Sequence, residues 1–269
     1  GGAVLDGYVL GIIGPSLTLA SAELHLSGLN QGLIAASALI GVFIGGMIFG
    51  NLADRYGRRP GFAWNLAAFV ILSVLQYFVQ EMWQLVALRL ALGLAIGVEY
   101  AVGTAVLAEF SRRRGRGVLL GSFALAWQAG FSVAFIVGIL YDGSDWRMLL
   151  ASSAIPAGIT FLLRLGLPES PMWLKARGRE AEAEAIVRRH FGPGHTIPAL
   201  TLEQSHPSPA ELFRHKNWRA HLYAGLFWFC QIGPFFAIFT FAMPVFRSLG
   251  IDSGVTVDIL LNGLQIVGA

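Results

Sequence analysis

The ionisable residues of this chain are gathered into a few short stretches, and everything between them is apolar over lengths that can cross a bilayer. Eight apolar segments result: roughly Gly1–Ala22, Leu29–Leu52, Gly61–Val79, Leu85–Ala108, Val118–Tyr141, Leu149–Leu167, Leu222–Phe246 and Val255–Ala269. About 20 apolar residues rising 1.5 Å each cover the hydrocarbon core of a membrane. Inside lipid every backbone N–H and C=O must find its partner within the protein, so continuous runs of this kind form helices. Composition agrees: 55% of residues are hydrophobic and only 13% charged, where a soluble domain carries roughly 25% charged. The expectation is an all-α membrane protein.

The connections alternate in charge. Arg55, Arg58 and Arg59 follow the second segment, Arg112, Arg113, Arg114 and Arg116 follow the fourth, and the long stretch from Pro168 to Arg219 follows the sixth. Between them fall Glu23 with His25, then Glu81, then Asp142, Asp145 and Arg147, then Arg247 with Asp252. Basic loops stay in the cytoplasm, which places the start of the first segment on the inner side. A net charge of +3 is too small and too scattered to argue for nucleic acid. The single cysteine, Cys230, excludes an intrachain disulfide, and His190, His195, His206, His215 and His221 lack metal-ligand spacing. No glycine loop followed by lysine offers a nucleotide site, so neither a cofactor nor ATP drive is expected, and no enzyme constellation is present. No basic segment and cleavage site precede the first apolar run. Both ends lie inside apolar runs, so the chain is expected to belong to a longer one.

The polar connector reads as short helices. Ser170-Pro171 supplies an N-cap and a proline at the first helical position, with Gly178 as the stop. Arg179 to His190 forms a second helix ended by Gly192-Pro193, and Ser208-Pro209-Ala210-Glu211 has capping-box spacing before a third. Within the membrane segments Gly41 and Gly45, Gly46 and Gly50, and Gly93 and Gly97 each fall four apart, which lets helix backbones approach closely in lipid. Packing is the expected role of these glycines.

The run Gly50-Asn51-Leu52-Ala53-Asp54-Arg55-Tyr56-Gly57-Arg58-Arg59-Pro60 resembles the G-x-L-A-D-x-x-G-R-R loop between helices 2 and 3 of the major facilitator superfamily. Four further stretches carry the same resemblance. Pro168-Glu169-Ser170-Pro171-Met172-Trp173-Leu174 is similar to the P-E-S-P-R-W-L that follows helix 6 of sugar porters, with methionine in place of arginine. Glu109, with Arg116-Gly117 seven residues on, resembles the acid and R-G pair after helix 4. Asp145-Trp146-Arg147 resembles the W-R that opens helix 6, and Arg89 with Gly93 and Gly97 the R-x-x-x-G-x-x-x-G face of helix 4. The resemblance implies the superfamily fold: a six-helix bundle over 1–167, a cytoplasmic linker over 168–220, and the first two helices of a second bundle over 221–269. It also implies a cytoplasmic gate built from Gly50, Asp54, Arg55, Gly57, Arg58, Arg59, Glu109, Arg116 and Glu169, in which ion pairs between loops close the inner side. The arginine-rich turns after segments two and four echo the internal repeats of such transporters.

The seventh segment narrows the substrate class. Sugar porters show Q-Q-x-S-G-x-N and a tyrosine pair there. This chain reads Cys230-Gln231-Ile232-Gly233-Pro234-Phe235-Phe236, with phenylalanine where hydroxyls and an amide are expected. A buried sugar hydroxyl without a partner is costly, which counts against a sugar. Asp6-Gly7-Tyr8 and Gly97-Val98-Glu99-Tyr100 look more like the D-G-[FY] and G-x-E-Y runs of metabolite, aromatic-acid and organic-acid proton symporters. Val9 stands where that group often has a second acid.

Asp6, Arg89 and Glu99 are ionisable residues well inside apolar segments, each costing roughly 2.5–3.5 kcal/mol at a helix centre. Such residues face a water-filled path, pair with one another or move protons. Asp6 and Glu99 are the candidate proton carriers. Arg89 is either the anchor for a substrate carboxylate or an internal ion-pair partner. Glu99 lies ten residues beyond Arg89, about 15 Å deeper at 1.5 Å per residue. The depth of Asp6 is nearer that of Glu99, so an Asp6–Arg89 pair requires a long reach or a tilted helix. Tyr8, Trp127, Gln128, Gln231, Phe235 and Asn262 are the remaining candidate substrate contacts, with helix packing as their competing role. The reading is a cell-membrane transporter of bacterial type, taking up a small organic or aromatic acid with a proton by alternating access. It would act as a monomer in the lipid bilayer, with a small molecule and protons as its partners. The alternatives are a sugar or polyol porter and, from another class, a non-transporting membrane sensor of transporter ancestry.

Overall fold

A computed structural model describes residues 1–109, 116–141, 143, 145–192 and 218–241. Among these residues the structure is helical throughout, with α1 (Gly2–Glu23), α2 (Gly28–Tyr56), α3 (Arg58–Leu75), α4 (Met82–Val98), α5 (Arg116–Leu140) and α6 (Trp146–Arg164). Two short helices follow, α7 (Pro171–Ala176) and α8 (Glu180–Phe191), then α9 (Trp218–Thr240). Seven of these helical stretches are long and apolar enough to cross a membrane, matching the first seven apolar segments. The eighth segment, with Asn262, and the Ser208–Glu211 cap lie outside the described residues.

Small residues decide which helices touch. Gly41 of α2 faces Leu90 and Gly93, Gly45 faces Leu94, and Gly97 faces Val42, Gly45 and Gly46. A Cβ at Gly93 would fall on the Ala38 carbonyl, so only glycine permits the α2–α4 approach. The same device joins α1 to α5, which sequence reading did not single out: Gly7 lies on the Trp127 carbonyl, Gly11 on Phe131, and Gly130 on the Val4 carbonyl. Three apolar clusters fill the bundle from end to end. One gathers Tyr8, Ile12, Trp146 and Leu149, a second Leu5, Val9, Leu66, Phe69 and Ile96, and a third Ala53, Phe62, Val98 and Val102.

The outer faces carry Leu29, Phe43, Trp64, Val118, Leu140 and Leu163, all largely exposed. In water so broad an apolar surface drives association; in a bilayer it is the lipid-facing side.

Two spanning helices are broken, and each break has a proline behind it. The helical pattern of α1 is interrupted at Ile12, and Pro15 supplies no N–H for the Gly11 carbonyl one turn back. In α6 the pattern is interrupted at Ser152-Ser153, where Pro156 has the same effect. There the Ser152 carbonyl accepts from the Ile155 N–H instead, at 3.0 Å. The Tyr8 hydroxyl joins the Ser152 hydroxyl at 2.7 Å, tying the first helix to the break in the sixth.

The connector caps follow the sequence. Ser170 Oγ accepts from the Trp173 N–H at 3.1 Å, with Pro171 in the first turn of α7. Gly178 and Gly192 take φ of 73° and 89° after α7 and α8, a conformation that L side chains rarely adopt.

Candidate functional site

Glu99 sits where α4 changes its winding. Residues Glu99–Gly103 form a π turn between Met82–Val98 and Thr104–Glu109, a distortion found often at functional positions. The Glu99 side chain is fully buried, packed beside Gly2 and Gly103. Both of its oxygens are taken by Arg164 at the end of α6: Nη1 donates to Oε2 at 2.7 Å and Nη2 donates to Oε1. The guanidinium also lies over the Phe62 ring, 4.8 Å from its centroid. A two-point fork between arginine and carboxylate is the strong form of this contact.

Sequence reading missed Arg164. The residue stood inside the apolar segment drawn from Leu149 to Leu167, with leucines on either side, and that was the available signal.

Asp6 is fully buried on α1 and within electrostatic reach of Glu99 and Arg164, and among the described residues neither of its carboxylate oxygens meets a donor. Arg89 does not pair with it. Its Nη1 donates to the Val9 carbonyl at 2.7 Å, while Nε and Nη2 have no acceptor among the described residues. Of the possibilities open in the sequence, the Asp6–Arg89 ion pair is therefore absent: the arginine meets α1 three residues beyond Asp6, about 4.5 Å along the helix. Arg89 borders a small void beside Leu10, Ile34 and Phe236.

The other candidate contacts fall in two groups. Tyr8 is buried and engaged with Ser152. Trp127 stacks on Phe131 with centroids 5.3 Å apart, and Phe235 joins that group through Phe131 at 5.4 Å and Phe239 at 4.8 Å. Gln128 is buried on α5, whereas Gln231 is exposed on α9. The aromatic residues thus form one wall between α5 and α9, with Gln231 one turn before Phe235 on α9.

At the end of the bundle holding Gly57, the carboxylate of Glu169 accepts the backbone N–H of Arg58 at 2.9 Å and that of Arg59 at 3.2 Å. It caps the N-terminus of α3, where unpaired amides and the helix dipole favour a negative charge. Gly57 turns the chain into α3 with φ 99°, and Arg177 donates to the Arg55 carbonyl. Two of the bonds that join this loop to the connector therefore end on backbone, those of Glu169 and Arg177. Gly50 faces Ala101 across α2 and α4. Asp54, Glu109 and Arg116 lie on helices, with side chains outside the described residues. At the opposite end Glu23 accepts from Trp146 Nε1 at 2.8 Å and from Arg147 Nη2 at 2.8 Å, and Arg147 Nε donates to the Val79 carbonyl.

A cavity of about 690 Å³ lies between α1, α3, α4, α5 and α6, lined among others by Arg58, Arg59, Phe62, Glu99, Phe161 and Arg164. Its volume falls within the range of small-molecule sites.

The whole chain, residues 1–269, matches the model of a family described as "Sugar (and other) transporter". It is 39% identical over 272 residues to the inner membrane metabolite transport protein YgcS of Escherichia coli K12, covering 100% of this chain and 61% of that protein. It is 35% identical over 259 residues to the putative metabolite transport protein YaaU of the same organism, covering 94% of this chain and 57% of that one. The chain therefore spans less than two thirds of the length of either relative. Among solved structures it resembles the xylose transporter XylE from E. coli in a partially occluded inward-open conformation, with a TM-score of 0.65 and 28% identity over 71% of this chain and 53% of that one.

Proposed function

Because the chain belongs to the sugar (and other) transporter family of the major facilitator superfamily, whose members are multi-pass membrane transporters and not enzymes, we propose that it forms part of a proton-coupled symporter for a small organic or aromatic acid. Residues 1–167 make the first bundle in this proposal, 168–220 a cytoplasmic linker and 221–269 the start of a second bundle. The basic loops face the cytoplasm. The protein works as a monomer by alternating access.

One observation carries the reading: two carboxyl groups, Asp6 and Glu99, are buried in one region, Glu99 forked onto Arg164 and Asp6 without a donor among the described residues. Burying an unpartnered carboxylate is costly, and taking up a proton removes the charge. Asp6, with no donor among the described residues, is the group that loads a proton. Glu99 holds its charge against Arg164 until a second proton or a competing anion arrives. Each charge state favours a different arrangement of α1, α4 and α6, and a transport cycle needs such a two-state element. Of the two roles open to Arg89, its bond to Val9 supports holding α1 against α4 over anchoring a substrate. Phe62, Phe123 and Phe161, which line the cavity beside Glu99 and Arg164, suit the apolar body of an acid.

Conservative removal of both carboxyls tests this. The Asp6→Asn and Glu99→Gln variants should bind substrate and exchange it across proteoliposomes, yet fail to accumulate it against a gradient. Accumulation by both variants would refute the proton-carrier role.

A sugar or polyol porter is the second reading. Its support lies in relatives such as the D-xylose transporter of Levilactobacillus brevis, 32% identical over 188 residues that cover 69% of this chain and 41% of that protein.

A further inference from the structure

We infer that Arg164 is a carboxylate-binding residue of the cavity, and that Glu99 occupies its fork as an internal stand-in for the carboxylate of a substrate. The inference rests on the acid-transport reading above and deepens it by naming the atoms that recognise the acid.

Three observations converge on that position. The Arg164–Glu99 contact is a two-point fork, the geometry in which arginine recognises any carboxylate. The pair borders the 690 Å³ cavity, so a small molecule in that space reaches the guanidinium directly. Arg164 also keeps 18% of its side chain exposed while Glu99 keeps 1%, so the arginine is the partner that a ligand can approach.

The rest of the lining selects the ligand class. The cavity carries three arginines, Arg58, Arg59 and Arg164, against one carboxylate, Glu99. That imbalance draws an anion. Phe62, Phe123 and Phe161 line it as well, giving an apolar body somewhere to rest. Sugar recognition needs many free hydrogen-bonding groups. The lining holds two serines, and one hydrogen-bonding site on each is taken, Ser122 donating to the Leu119 carbonyl and Ser170 accepting from Trp173. A monocarboxylate with a flat apolar body fits this lining better than a polyol.

In this exchange no bond to carbon changes. The substrate carboxylate takes the two N–H donors of Arg164, and the displaced Glu99 carboxylate takes a proton, so the net charge of the site is kept.

The test is binding by the complete detergent-purified protein of labelled benzoate, phenylacetate and butyrate, each against its amide. In the wild type at least one acid should bind and its amide should not. Glu99→Gln removes the internal competitor and should tighten that acid about fivefold or more. Arg164→Lys keeps the charge but not the fork and should weaken it at least tenfold; Arg164→Gln should abolish binding. Monodisperse elution of Arg164→Lys keeps the test valid if Arg164→Gln fails to fold. Acid binding by the wild type that stays within twofold in Glu99→Gln and Arg164→Lys would overturn this inference and leave acid transport standing. Binding of none of the acids by the wild type would overturn both.

Discussion

Glu169 holds the backbone N–H groups of Arg58 and Arg59 across 110 residues of chain, at 2.9 and 3.2 Å. A carboxylate at the end of the sixth spanning helix thereby caps the third, and the neighbouring Ser170 caps α7. One short motif, Pro168 to Pro171, thus fixes two helix starts at the same end of the bundle.

Removing that cap has a measurable cost. Glu169→Ala leaves two N-terminal amides of α3 without their acceptor and should lower stability by about 1–2 kcal/mol. Thermal unfolding in detergent reads this as a drop in Tm. Glu169→Gln should fall between wild type and alanine, since its amide oxygen still accepts but carries no charge for the helix dipole.

The close approach of α2 and α4 depends on glycine. Gly93→Ala sets a Cβ against the Ala38 carbonyl and should cost about 1–3 kcal/mol, the range for an overpacked interior. Gly61→Ala, where nothing lies within 4 Å of the added Cβ, serves as the control and should match wild type or exceed it by up to about 1 kcal/mol, the helix preference of alanine over glycine. Equal unfolding curves for the two variants would mean that the helices are not in this register.

Arg147 joins three elements at the other end through Glu23, Val79 and the Trp146 ring, whose centroid lies 4.4 Å from the guanidinium. Arg147→Ala should destabilise by about 1–3 kcal/mol, because the Val79 carbonyl and Trp146 lose a charged partner. Glu23→Gln should cost less than half as much: Glu23 is half exposed, and exposed ion pairs contribute little. A double-mutant cycle over the two residues separates the pair from the arginine's other contacts.

Much of the fold was legible because lipid forces it. Apolar run length located seven spans, and Ser170-Pro171 and Gly178 marked the limits of α7 by side-chain chemistry that local sequence carries. The Gly41, Gly45, Gly93 and Gly97 spacing pointed to the contact that joins α2 and α4. Gly7 and Gly11 also fall four apart, so the same rule applied to the first segment finds the α1–α5 contact that was overlooked. The site was harder to read. Glu99 was visible as a charge in an apolar run, but its partner lies 65 residues away, and spacing along one helix says nothing about which helix faces it. Glu169 was visible as part of a motif, yet its partners are backbone amides, which leave no mark in a sequence. The Asp6–Arg89 pairing was left open by depth along the helices, and the arginine instead meets α1 at Val9.

The most direct measurement of the central claim is uptake by the complete protein in proteoliposomes under an inward proton gradient. Labelled aromatic and short-chain acids would be compared with glucose and inositol. The account predicts that an acid accumulates, that a protonophore abolishes the accumulation, and that Asp6→Asn removes it while leaving exchange intact. Gradient-driven uptake of glucose or inositol with no uptake of any acid would contradict it.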